Sequence, residues 1–126
     1  MEWKDNKFVF DNDKPIYMQL VENIKKKIIS GELELGERIP SVRELATILK
    51  VNPNTMQKAL QELESLELIF TERTNGKFVT ENRKIINKYK DVYADNLIKD
   101  FMSNMIEIGY EKDEIIEIIN KVKEMN

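Results

Sequence analysis

Cysteine and histidine are both absent from the 126 residues. Without cysteine there is no disulfide and no thiolate metal site. Without histidine the chain lacks the commonest general base, the usual partner of a catalytic nucleophile and the commonest metal ligand. Chemistry would fall to Asp, Glu, Lys or Tyr, and the carboxylates of Asp11 and Asp13 sit in the turn-like stretch DNDKP with no partner pattern. No oxygen-rich cation loop is recognisable either. The expectation is therefore no enzyme, no metal and no cofactor. Apolar runs are too short to span a membrane, and the polar, acidic start MEWKDNKFVF is unlike a signal peptide. A soluble cytoplasmic protein is expected. A basic block is missing too: residues 1–35 hold 6 Lys/Arg against 7 Asp/Glu, residues 36–81 hold 6 against 7, and residues 82–126 hold 8 against 9. Overall charge thus gives no pointer to nucleic acid, and any basic footprint must come from arrangement in space.

With only four glycines and three prolines, each one punctuates. Phe8-Val9-Phe10 reads as a short strand or an arm. Pro15 opens a helix whose Ile16, Leu20, Ile24 and Ile28 recur at four-residue spacing, and Gly31 closes it. The segment ELELGERIP is extended or turning. Ser41 and Glu44 form a capping box ahead of a short helix with Val42, Leu45, Ala46 and Leu49 inward. After Lys50-Val51, Asn52 caps and Pro53 starts a second helix, 53–66, with Met56, Ala59, Leu60 and Leu63 inward. Two short amphipathic helices joined by so tight a turn form a helix-turn-helix. Strand-like residues 69–73 and 77–80 flank Asn75-Gly76, a hairpin signal because both residues tolerate positive φ. The fold class is thus mainly α with a small β-hairpin, a winged helix-turn-helix followed by two C-terminal helices. Ile86, Tyr89, Tyr93, Leu97, Phe101, Met105 and Ile108 mark one side of a helix of about seven turns. Gly109 ends it, and residues 111–125 form the last helix. The domain reading is an arm or short strand over 1–14, a winged domain over 15–81 and a two-helix dimerisation tail over 82–126.

The outward face of helix 53–66 carries Asn54, Thr55, Gln57, Lys58 and Gln61. No Asp or Glu occurs from Leu45 to Gln61. The second helix of such a motif lies in the DNA major groove, with its N-terminal residues at base edges. Asn and Gln pair bidentately with adenine, Thr touches a thymine methyl, and Lys reaches guanine or phosphate.

The run from Pro15 to Val79, including PSVREL and VNPNT, resembles the DNA-binding domain of the GntR family of bacterial transcription regulators. The short two-helix tail resembles the family's YtrA branch, which lacks the large effector domain of other branches. The resemblance implies a homodimeric regulator, often a repressor, bound to a palindromic double-stranded DNA operator and often serving a transporter operon. It implies DNA contacts from Arg38, Ser41 and Arg43 around the first motif helix, and from Asn54, Thr55, Gln57 and Lys58 on the recognition helix. At the wing it implies Arg73, Asn75, Gly76 and Lys77, which in the family reach the minor groove. Four positions depart from the family pattern. Lys50 and Thr74 replace glycines, Leu35 a proline, and Glu111 a Ser or Thr cap.

The tail carries more apolar surface than a lone pair of helices can hide. These helices either pack wholly on the winged domain or pair with a second chain; given the resemblance, Tyr93, Leu97, Phe101 and Met105, with Ile115, Ile118, Ile119 and Val122, are expected to pair with a second chain. Tyr89, Tyr93, Phe101, Met102 and Met105 read as core rather than as a ligand pocket. No polar constellation marks an effector site, so any effector is unidentified. The alternative function is a winged-helix protein–protein interaction module without operator binding, which would show little sensitivity to salt.

Overall fold

The computed structural model describes residues 2, 3 and 8–125. Residues 1 and 4–7 of the expected arm lie outside the described residues. The chain divides into two compact units, Met1–Tyr89 and Lys90–Asn126.

The first unit is built on α1 (Ile16–Ile29), α2 (Val42–Leu49) and α3 (Pro53–Ser65). Leu20, Ile24 and Ile28 of α1, Leu45 of α2, and Met56, Leu60 and Leu63 of α3 meet in one core, fully or almost fully buried. Each such side chain contributes about 1.5–3 kcal/mol on leaving water. α3 is central: α1, α2 and the sheet all pack on it, which leaves one face outward. Trp3, the single tryptophan, is 6% exposed and joins this core.

Residues 8–10 form no strand. The backbone that follows them is held by a side chain instead of a sheet. Gln19 Oε1 accepts from the Asp11 N–H at 2.7 Å, and its Nε2 donates to the carbonyls of Asp11 and Lys14, both at 2.8 Å. One buried amide thereby satisfies the backbone groups that a strand partner would otherwise take.

The sheet has three strands, one more than the expected hairpin. β2 (Ile69–Glu72) and β3 (Gly76–Val79) pair antiparallel, and β1 (Arg38–Ile39) adds to the other side of β3, giving the order β1-β3-β2. Two further bonds, Gly36 N–H to the Val79 carbonyl and Val79 N–H to the Glu37 carbonyl, extend the pairing. The ladder is sealed by buried Ile39. At the tip, only Gly76 takes positive φ, +104°. The Asn75 N–H closes a turn on the Glu72 carbonyl at 3.2 Å, so residues 73–75 make the loop and Gly76 absorbs the left-handed step. Phe70 and Phe78 stack across the strands at 5.7 Å between ring centres.

Four helices end through a residue of positive φ. α1 uses Gly31, and α4 (Arg83–Glu107) uses Gly109. α2 and α3 use Lys50 (φ 56°) and Glu67 (φ 63°). At the end of α3 the Leu68 N–H reaches the Leu63 carbonyl and the Glu67 N–H the Glu64 carbonyl, both at 3.0 Å, the double bond pattern that normally selects glycine.

Asn82 caps α4, accepting from the Lys84 and Ile85 N–H groups. The first turns of α4 belong to the first unit. Ile86 is in its core, and Tyr89 Oη donates to the Leu66 carbonyl at 3.0 Å. In the second unit, α4 ends and α5 (Lys112–Met125) follows. Glu111 accepts the first α5 bond, from Ile115 N–H, and its own N–H donates to the Glu114 carboxylate, so α5 starts without a Ser or Thr cap. Apolar groups on α4 are not confined to the expected side, since Val92, Ile98 and Ile106 are exposed along with Leu97 and Phe101.

Candidate nucleic-acid interface

The outward surface of the first unit gathers α2, α3 and the wing β2–β3. Both motif helices start on a side chain that takes up free backbone donors. Ser41 Oγ accepts from Glu44 N–H at 3.2 Å while Glu44 Oε1 accepts from Ser41 N–H at 3.4 Å. Asn52 Oδ1 accepts from Asn54 N–H at 2.7 Å, with Pro53 at the first helical position. The Ser41 hydroxyl is thus engaged in the cap.

The capping box also bears on Arg43. Its nearest acidic neighbour in sequence, Glu44, is turned back to Ser41. Among the described residues the exposed Arg43 guanidinium has no ion-pair or hydrogen-bond partner. On α3, Asn54, Gln57, Lys58 and Gln61 are exposed and Thr55 is half-buried. The side chains of Asn54, Thr55 and Gln57 likewise have no internal partner among the described residues. These four side chains stand ready for an external ligand.

The lysines behave differently. Lys58 Nζ sits 3.8 Å from the centre of the Tyr17 ring on α1, a cation–π contact that sequence periodicity did not anticipate. The resemblance places Lys77 at the wing tip. It stands one register pair inside the tip, opposite Thr71, and its ammonium is turned onto Thr71 and Glu64.

At the tip itself, Asn75 Nδ2 donates to Glu72 Oε2 at 3.0 Å. Arg38, on β1, reaches across to Gly76: a Cβ placed on that glycine would lie 3.6 Å from the guanidinium Nε. Arg38 is therefore a wing residue, not a neighbour of α2 alone. Arg38 and Arg73 are exposed and carry no ion pair among the described residues.

In the second unit Leu97, Phe101, Ile119 and Val122 are exposed, with Leu97 at 66%. Tyr93, Met105 and Ile118 are half-buried. Ile115 is fully buried within the chain itself, so its side chain is unavailable to a partner. Of the aromatic residues read as core, Tyr89 is half-buried but Phe101 is 41% exposed.

Among the described residues no group of three or more carboxylates could hold a metal ion. None of the described helices is long and apolar enough to cross a membrane.

Two helices joined by a tight turn, a strand pair behind the second, and an outward polar face on that second helix define a winged helix-turn-helix of the DNA-binding class. The sequence pattern of the bacterial regulatory proteins of the gntR family matches residues 16–79. The chain belongs to the GntR family of transcriptional regulators, which are not enzymes. It is 38% identical over 115 residues to the uncharacterised HTH-type transcriptional regulator YhcF of Bacillus subtilis, covering 91% of this chain and 95% of that protein. It is 46% identical over 70 residues to the HTH-type transcriptional repressor YtrA of Bacillus subtilis, a match that takes in 56% of this chain and 54% of YtrA. Among solved structures, a GntR family regulator from Listeria monocytogenes superposes with a TM-score of 0.80 at 44% identity, over 89% of this chain and 98% of that one.

Proposed function

We propose that the chain is a cytoplasmic, homodimeric repressor that reads a palindromic operator. α3 enters the major groove and the wing lies at the adjacent minor groove. The observation that carries this reading is the outward face of α3 from Asn54 to Gln61: largely exposed, free of acid, and backed by an Arg43 that nothing inside the described chain engages. Arg43, Asn54, Thr55 and Gln57 are the base and phosphate readers. Arg38, Arg73, Asn75 and Gly76 form the wing contact. Residues 15–81 are the reading head and residues 82–126 the dimerisation tail.

Dimerisation is supported by the exposed apolar residues of the tail. Leu97, Phe101, Ile119 and Val122 expose wide apolar area that a second copy would remove from water. Two heads on a two-fold axis read half-sites about 34 Å apart, or a multiple of that. The name of the YtrA relative supports repression rather than activation, and the resemblance stated above supports a transporter operon as the target.

Gel retardation of the fragment upstream of the protein's own gene, intact and then with its sequence scrambled, tests the reading. Retardation of the intact fragment alone, falling steeply with salt, is the expected outcome. Equal binding to both fragments, or binding indifferent to salt, would refute operator recognition. Sedimentation of the free protein as a monomer at micromolar concentration would refute the dimer.

A further inference from the structure

The recognition helix and the wing are joined by a ring of three polar side chains. Lys77 Nζ donates to Thr71 Oγ1 at 2.8 Å and to Glu64 Oε2 at 3.5 Å. Thr71 Oγ1 in turn donates to Glu64 Oε1 at 2.5 Å. Thr71 and Lys77 are register partners on β2 and β3, so a single carboxylate on α3 grips both strands of the wing. β3 is the central strand of the sheet, and whatever holds it also holds β1, which carries Arg38. The Lys77 side chain is only 19% exposed.

Glu64 is an unexpected residue to find there. It is the last but one residue of α3, where free carbonyls give the helix end a partial negative charge and a carboxylate is disfavoured. The Lys77 ammonium and the Thr71 hydroxyl offset that cost. They also consume both carboxylate oxygens, so that neither faces an approaching phosphate without a partner.

We propose that Glu64 is a positioning residue for DNA reading. Its carboxylate fixes the wing against the recognition helix, and it cancels the charge of Lys77, which therefore neutralises no phosphate. The inference rests on the reading of α3 and the wing as the DNA-contacting elements. It differs from a simple wing-lysine contact in a measurable way, because each phosphate neutralised adds about 0.9 to the slope of log affinity against log salt.

The test uses the full chain and the intact upstream fragment. Glu64→Gln keeps the side chain's size and an oxygen for Thr71 but frees the Lys77 ammonium. The salt slope should steepen by about 0.9, which is a further loss of about threefold in affinity between 50 and 200 mM salt. The double variant Glu64→Gln/Lys77→Met should return to the wild-type slope. An unchanged slope in Glu64→Gln overturns the charge-cancelling role, as does a double variant that stays as steep as the single one. A second arm needs no DNA. In Glu64→Ala the β2 and β3 amides should exchange hydrogen faster by about threefold or more than in the wild type, with α1 amides unchanged. Equal exchange across the wing overturns the clamp. That result would leave the DNA-binding reading standing, whereas absence of retardation by the wild type would sink that reading and leave the clamp to stand or fall by exchange alone.

Discussion

Replacing Lys50 by glycine should stabilise the protein. Lys50 has φ 56° and ψ 49°, squarely left-handed, and its side chain is exposed with no partner among the described residues. A non-glycine residue in that conformation costs about 1–2 kcal/mol because its Cβ crowds the following carbonyl. Glycine removes that cost but loses about 0.5–1 kcal/mol through its greater freedom in the unfolded chain. The net gain is about 0.5–1 kcal/mol, with no packing lost. The backbone bonds of the turn survive the change, since both the Lys50 and Val51 N–H groups point at the Ala46 carbonyl. With a urea slope of about 2 kcal/mol per molar, the midpoint should rise by about 0.3–0.5 M. Trp3, the sole tryptophan and buried in the core, reports the transition by fluorescence, at one fixed protein concentration because dimerisation would shift the midpoint. Glu67→Gly, at the end of α3 with φ 63°, should give a rise of similar size. An unchanged or lowered midpoint at unchanged slope in both variants would refute the claim that these helix ends store backbone strain.

Three further outcomes are expected. Arg43→Ala and Thr55→Ala should keep the wild-type urea midpoint within error and weaken operator binding by about 1–3 kcal/mol each, measured by fluorescence anisotropy; loss of fold in either would mean a structural residue has been mistaken for a reader. Tyr89→Phe should lower stability by about 0.5–1.5 kcal/mol through loss of the bond to the Leu66 carbonyl, while the ring stays beneath Lys25, whose Nζ lies 4.8 Å from its centre; an unchanged midpoint would show that water replaces the phenol at no cost. Leu97→Glu and Ile119→Glu place charge on exposed positions, so the chain should fold but sediment as a monomer; a persisting dimer would put the interface elsewhere.

Local signals in the sequence were strong wherever one residue decides one bond. The capping box at Ser41 and Glu44, the Asn52-Pro53 start of α3 and the Gly31 and Gly109 stops all follow from nearest-neighbour chemistry, and the helix periods located Leu20, Ile24, Met56 and Leu63 in the core. β1 was not legible, because two residues have no period and the strand exists only through β3. Nor was the third partner of the wing: Thr71, Lys77 and Glu64 are separated by up to 13 positions and meet through packing. The destinations of long side chains were the least legible of all. Periodicity places Lys58 and Lys77 on outward faces, but an ammonium on a flexible stem goes to the best partner within reach, and those partners, Tyr17 and Glu64, belong to other elements. Arg43 is the converse case. Its neighbour Glu44 is turned into the cap, and among the described residues nothing else pairs with the guanidinium.

The same bonds explain how a chain of net charge −3 can present a surface to a polyanion. What a phosphate senses is the charge within about 10 Å at ordinary salt, not the total. Residues 36–81 hold seven acidic groups, and four of these are occupied as acceptors: Glu37 on the Glu34 N–H, Glu44 on Ser41, Glu64 on Lys77 and Thr71, and Glu72 on Asn75. Arg38, Arg43 and Arg73 have no such internal partner among the described residues. Four of the seven acids are tied into caps, turns and the wing clamp, with Glu64 set against the Lys77 ammonium, while these three arginines stay unengaged, so the sorting lies in bonding geometry rather than in composition. A count of charged residues cannot register it. Neutralising a clamped acid such as Glu64 should therefore alter the salt dependence of binding through the cation it releases, more than through the single unit of net charge it removes.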